Sequence, residues 1–67
     1  MKITYDKVAN AVYIQFKETK DILSTLNITD EINIDLDSFK NIVGIEILKA
    51  DKVMDLTEIV IKDINND

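Results

Sequence analysis

The sequence predicts an α+β fold: an antiparallel β-meander of four to five strands with one C-terminal helix packed on one face. Three observations carry this. Apolar residues alternate with polar ones through most of the first 48 positions, the period of half-buried strands. Short clusters of Asp, Asn, Ser, Thr and Lys separate these runs and act as turns. After Met54 the apolar spacing changes to that of a helix.

The elements follow in order. Ile3 to Asp6 is a short strand rich in β-formers. Lys7 to Asn10 breaks it. Ala11 to Lys17 alternates, with Val12, Ile14 and Phe16 on one face and Tyr13, Gln15 and Lys17 on the other. Glu18 to Asp21 is a charged turn. Ile22 to Ile28 is a strand placing Ile22, Leu26 and Ile28 together, with Ser24 interrupting that face. The clearest signal is a hairpin from Ile32 to Leu48. Ile32, Ile34 and Leu36 alternate with Glu31, Asn33 and Asp35, and Val43, Ile45 and Ile47 alternate with Gly44, Glu46 and Leu48, across an Asp37 to Asn41 turn. Asn41 is expected to take the left-handed position in that turn. Leu56, Ile59, Val60 and Ile64 lie at helical spacing, and Asp55 with Glu58 fits an Asp variant of the capping box. The cap favours a helix over 55–64. Strand is the alternative, since Ile59 and Ile61 also alternate. Residues 65–67 are expected to fray.

Sixty-seven residues make a single domain, 1–67, with its core over 2–52. A chain this short has a thin stability margin and commonly adds disulfides, a metal or a partner subunit. With no Cys and no His, disulfides and Cys/His zinc sites are excluded. One helix of about ten residues covers only part of a four- or five-stranded sheet. A homodimer, or a bound protein, is therefore expected. No apolar run approaches a membrane span of roughly 18 residues, and the opening residues lack a signal-peptide core. The expected setting is the cytoplasm, with no membrane contact.

The net charge is −5, and all eight basic residues are lysines. Phosphate clamping and guanine reading favour arginine, and phosphate neutralisation dominates nucleic-acid affinity. No nucleic acid is expected as a partner. A small basic protein suits the acidic surface better.

Candidate chemistry is sparse. Asp35, Asp37 and Glu46 match the first, third and twelfth positions of a calcium loop, but Phe39 and Lys40 occupy the fifth and sixth, where an oxygen ligand and a glycine belong. The reading is an acidic hairpin, not a metal site. Without Cys or His the usual nucleophilic triads are missing, and Ser24 and Ser38 have no evident base. No cofactor-binding pattern is present, and no enzymatic activity is expected. The candidate interaction or ligand residues are Tyr5, Asp6, Asn10, Tyr13, Phe39, Gly44 and Glu46. Tyr5 and Tyr13 are placed to meet across the first hairpin. Phe39 is an aromatic at a loop tip, either folded back or facing a partner. Glu46 is the one acid inside the strongest strand. Gly44, within a strand, marks either a bulge or a close contact.

The run Tyr5-Asp6-Lys7-Val8-Ala9-Asn10-Ala11-Val12-Tyr13-Ile14 resembles the opening of the YuzE-like family of small bacterial proteins, domain of unknown function 2283. Ile34-Asp35-Leu36-Asp37 followed by Ile42-Val43-Gly44-Ile45-Glu46-Ile47-Leu48 is similar to its second signature. Lys7 stands where proline is common, and Lys40 or Asn41 where glycine is common. The resemblance implies a small α+β fold and transfers no catalytic residue. It also implies a companion role beside small toxin-like proteins. The resulting expectation is a non-enzymatic interaction module, antitoxin-like in its sharper form and neutralising a basic partner. The alternative is a small-ligand or metal-binding protein with a site at a homodimer interface, built from Asp6, Asn10 or Glu46.

Overall fold

The computed structural model describes residues 1–57. Five strands and one short helix follow in order: β1 (Lys2–Asp6), β2 (Ala11–Gln15), β3 (Ser24–Asn27), β4 (Ile32–Leu36), β5 (Ile42–Leu48) and α1 (Ala50–Val53). The strands form one antiparallel sheet in the order β1-β2-β5-β4-β3. The α+β fold and the antiparallel sheet are as the sequence predicts. The meander is refined: it holds for β3-β4-β5, but β2 neighbours β5 and not β3. The chain leaves β2 for the far edge of the sheet and returns to the centre with its most apolar strand. That strand has most to gain from pairing on both sides, since burial follows apolar area.

Register puts the apolar residues on one face. Val12 lies opposite Ile47, Ile14 opposite Ile45, and Ile32 and Ile34 flank the same two residues from β4. Ile3 and Tyr5 extend this face on β1, and Leu26 extends it on β3. Val12, Ile47 and Ala50 form the buried cluster, with Ile14, Ile45, Met54 and Leu56 packed against it. Val43 is buried at an irregularity where Asp35 pairs with Gly44 but Leu36 pairs with Ile42. This leaves Val43 as the extra residue of a bulge.

The β4–β5 turn spans the predicted Asp37 to Asn41, but Lys40, with φ 66°, takes the left-handed position expected of Asn41. The cause is Asp37. Its Oδ1 accepts from both the Phe39 and Asn41 amides at 2.8 Å, which fixes the loop and leaves the reversal to Lys40.

The helix among the described residues is Ala50–Val53, earlier than the predicted 55–64. It starts from Lys49 in a left-handed conformation with no side-chain cap of its own. Asn10, at the end of the first turn, supplies the missing acceptors: its carbonyl takes the Ala50 N–H at 2.9 Å and its Oδ1 takes the Asp51 N–H at 3.2 Å. Residues 55–57 are not helical, although Asp55 Oδ1 does accept the Thr57 N–H, a cap-like bond, at 2.9 Å. The rest of the predicted helix and the 65–67 tail lie outside the described residues.

Candidate functional site

The polar face carries the chemistry. On this face β2 presents Ala11, Tyr13 and Gln15, β5 presents Gly44, Glu46 and Leu48, β4 presents Asn33 and Asp35, and β3 presents Thr25 and Asn27. The alternation that turns Val12, Ile45 and Ile47 to the apolar face forces these residues to the opposite side.

Two hydrogen-bonded rows cross the strands. In the first, the Tyr13 hydroxyl donates to Asp35 Oδ2 at 2.8 Å, and Thr25 Oγ1 donates to Asp35 Oδ1 at 2.7 Å. In the second, Asn33 Nδ2 donates to Glu46 Oε1 at 3.1 Å, and Asn27 Nδ2 donates to Asn33 Oδ1 at 2.8 Å. Desolvation, followed by the Asp35 hydrogen bond and the Asp35 and Glu46 charges, raises the Tyr13 phenol to about 12. It therefore stays protonated and donating at neutral pH.

Tyr13 must pass over β5 to reach β4, and Gly44 makes this possible. A Cβ at position 44 would lie 2.5 Å from Tyr13 Cζ and 2.9 Å from the Ile14 carbonyl oxygen. The glycine is therefore a close-contact residue, with no positive φ. The bulge is next to it, at Val43.

Beside this row is an open cleft of about 330 Å³ lined by Thr4, Asp6, Ala9, Ala11, Val12, Tyr13, Glu46 and Leu48. The structure thus brings together Asp6, Tyr13 and Glu46, with Gly44 beneath the Tyr13 ring. The other three candidates lie elsewhere. Tyr5 is opposite Val12 on the apolar face, whereas Tyr13 is opposite Thr4 on the polar face. The two tyrosines do not meet, because their positions differ by an even number in a register that pairs neither with the other. Asn10 binds the first turn to α1, its Nδ2 donating to Asp51 Oδ1 at 2.6 Å. Phe39 is 79 % exposed at the loop tip and does not fold back.

Asp37 is a separate centre. It is 4 % exposed and ion-paired to Lys17 Nζ at 2.7 Å. The Lys17 bond, then the Asn41 amide, lowers its carboxyl to about 2. The three acids of the near-miss calcium pattern thus belong to three arrangements: Asp35 with Tyr13 and Thr25, Asp37 with Lys17, Glu46 with Asn33. Among the described residues, no three carboxylates converge on a metal position, and no helix is long and apolar enough to cross a membrane.

Sequence reasoning missed Asp35, Asn33 and Thr25 as parts of the site. Their positions on the outward side of two facing strands were visible, but only the register joins them to Tyr13 and Glu46. No curated protein and no solved structure matches the chain. One family sequence pattern does, over residues 2–50, from the first strand through the first residue of the helix, and the chain therefore belongs to the family described as protein of unknown function (DUF2283).

Proposed function

We propose that the protein is a non-enzymatic interaction module whose polar sheet face engages a basic protein partner. One observation carries this reading. Asp6, Asp35 and Glu46 are held by neutral donors: backbone amides, the Tyr13 and Thr25 hydroxyls and the Asn33 amide. Among the described residues, the one ion pair is Lys17 with Asp37, and it involves none of these three acids. The carboxylates are pre-oriented and, among the described residues of one chain, have no cationic partner. A cationic side chain laid along the face meets fixed acceptors and the Tyr13 ring, so little ordering is required on this side. The antitoxin-like form of the reading adds that the partner is a small basic protein neutralised by the contact.

The test is affinity capture from the native cell with the wild-type chain and with Asp35→Asn/Glu46→Gln. A stoichiometric basic protein held by the first and released by the second supports the proposal. Capture of no stoichiometric protein by the wild type refutes it.

A second reading is favoured by the cleft at Thr4, Asp6, Tyr13 and Glu46: a small cationic ligand or a metal bound there. A thermal-shift screen over metals and metabolites decides it, because a ligand selective for the folded chain raises the melting temperature. A flat screen removes this reading.

A further inference from the structure

We infer that the outer edge of β1 is a self-complementary interface, pairing antiparallel with β1 of a second copy about a twofold axis through Thr4. The inference stands independently of what the polar face binds.

The free backbone groups can be located from the ladder. Phe16 N–H donates to the Val43 carbonyl at 2.7 Å, extending the register in which Gln15 faces Gly44. Hydrogen-bonded pairs alternate along an antiparallel ladder, so Val12 and Ile14 also direct their backbone groups toward β5. Ala11, Tyr13 and Gln15 direct theirs toward β1, where their partners are Asp6, Thr4 and Lys2. The amides and carbonyls of Ile3 and Tyr5 are left pointing outward. Every residue of β1 is exposed, and no strand among the described residues pairs with this side.

Such an edge is usually blunted by proline, a bulge or a charge turned inward. Lys2-Ile3-Thr4-Tyr5-Asp6 has no proline and no register shift against β2. Its charges instead match a second copy of itself. With Thr4 on the axis, Ile3 lies opposite Tyr5 of the second copy, and Tyr5 opposite its Ile3. This arrangement satisfies the outward amides and carbonyls of both residues in both chains. On the polar side Lys2 meets Asp6 of the second copy, and Asp6 meets its Lys2. On the apolar side an aromatic–aliphatic pair forms twice. Opposite charges and aromatic–β-branched pairs are the cross-strand combinations that stabilise a ladder.

The Asp6 carboxylate is already fixed, with Oδ1 accepting from the Val8 and Ala9 amides at 3.0 and 3.1 Å, and the residue is exposed. Lys2 has no ion-pair partner among the described residues. Registers centred on Ile3 or Tyr5 also satisfy the backbone, but they shorten the overlap and leave Lys2 and Asp6 apart. The opposite edge, β3, carries no charged residue over Ser24–Asn27 and offers no such match. Pairing through β1 makes one continuous sheet of isologous symmetry, with the two Thr4–Asp6–Tyr13–Glu46 clefts flanking the axis on the same face.

Sedimentation equilibrium on the full chain tests this, with far-UV circular dichroism confirming that each variant is folded. The wild type is expected to dimerise. Lys2→Glu and Asp6→Lys each place like charges opposite one another twice, and each is expected to weaken self-association by about tenfold. Mixed in equal amounts, the two variants are expected to pair with each other, because Glu then faces Lys at one end and Asp faces Lys at the other. Tyr5→Pro removes an outward amide without touching the β1–β2 ladder and is expected to abolish the dimer. If Asp6→Lys fails to fold, Lys2→Glu and Tyr5→Pro decide alone. A monomeric wild type overturns the inference, and so do variants that self-associate as tightly as the wild type.

Discussion

Replacing Gly44 with alanine should destabilise the domain through two identifiable contacts. The added Cβ would sit 2.5 Å from Tyr13 Cζ and 2.9 Å from the Ile14 carbonyl oxygen. The ring can swing away only by giving up the hydroxyl bond to Asp35. A hydrogen bond to a charged group contributes about 1.5–3 kcal/mol. Alanine offsets about 0.4–1 kcal/mol of this by restricting the unfolded chain. The net loss is about 1–2 kcal/mol, a large share of the total for a domain whose stability is about 0.05–0.15 kcal/mol per residue. With a urea m-value of about 1 kcal/mol/M, the midpoint should fall by about 1–2 M with m unchanged. The decisive assay is a double-mutant cycle with Tyr13→Ala. Once the ring is gone its share of the penalty should vanish while the share from the Ile14 carbonyl stays, giving a coupling energy of about 1 kcal/mol. A midpoint unmoved by Gly44→Ala refutes the close-contact argument, as does an equal penalty with and without the ring.

Three further outcomes follow from the turns. The Asp37 carboxyl is lowered from 3.8 to about 2, so its contribution is present above the unfolded value and lost as pH falls through about 2. Asp37→Asn should therefore be less stable at neutral pH and show a shallower loss of stability between about pH 4 and pH 2, read by denaturant melts across that range. Lys40 holds a φ of 66°, so Lys40→Gly should stabilise the hairpin by about 0.5–1 kcal/mol, seen as a raised urea midpoint. Asn10 combines a φ of 53° with the contacts to Ala50 and Asp51. Asn10→Ala should cost about 1–2 kcal/mol, and Asn10→Gly less, with the difference appearing as faster amide exchange at Ala50 and Asp51.

The hairpin from Ile32 to Leu48 was legible because its pattern is local: two alternating runs and a turn rich in Asp and Asn. Ala11 to Gln15 was legible for the same reason. What escaped depends on partners far along the chain. Nothing in the alternation of β2 says that Val12 will lie against Ile47 and not against a residue of β3. Helix α1 has four residues, too few to leave a periodic trace, and its start is set by Asn10 on another element. Lys40 takes the reversal because the Asp37 side chain, not the intrinsic preference of Asn41, dictates the loop. Ile22 and Leu23 look like strand residues, yet they precede β3 and remain exposed. At the candidate site, Gly44 was the visible anomaly. Its cause was invisible, because the Tyr13 to Asp35 bond spans three strands and exists only once their register is set.

The central place of β5 has a consequence for how the chain comes into being. During synthesis the β1–β2 hairpin emerges first and β3–β4 second, and the two share no ladder until β5 enters between them. An isolated two-stranded hairpin is marginal in water, so neither half can rest in a finished state while it waits. Residues 42–48 act as a keystone delivered last. The nascent domain carries exposed strand flanks on both halves until that segment arrives, and its completion is a single late, cooperative event rather than a progressive one.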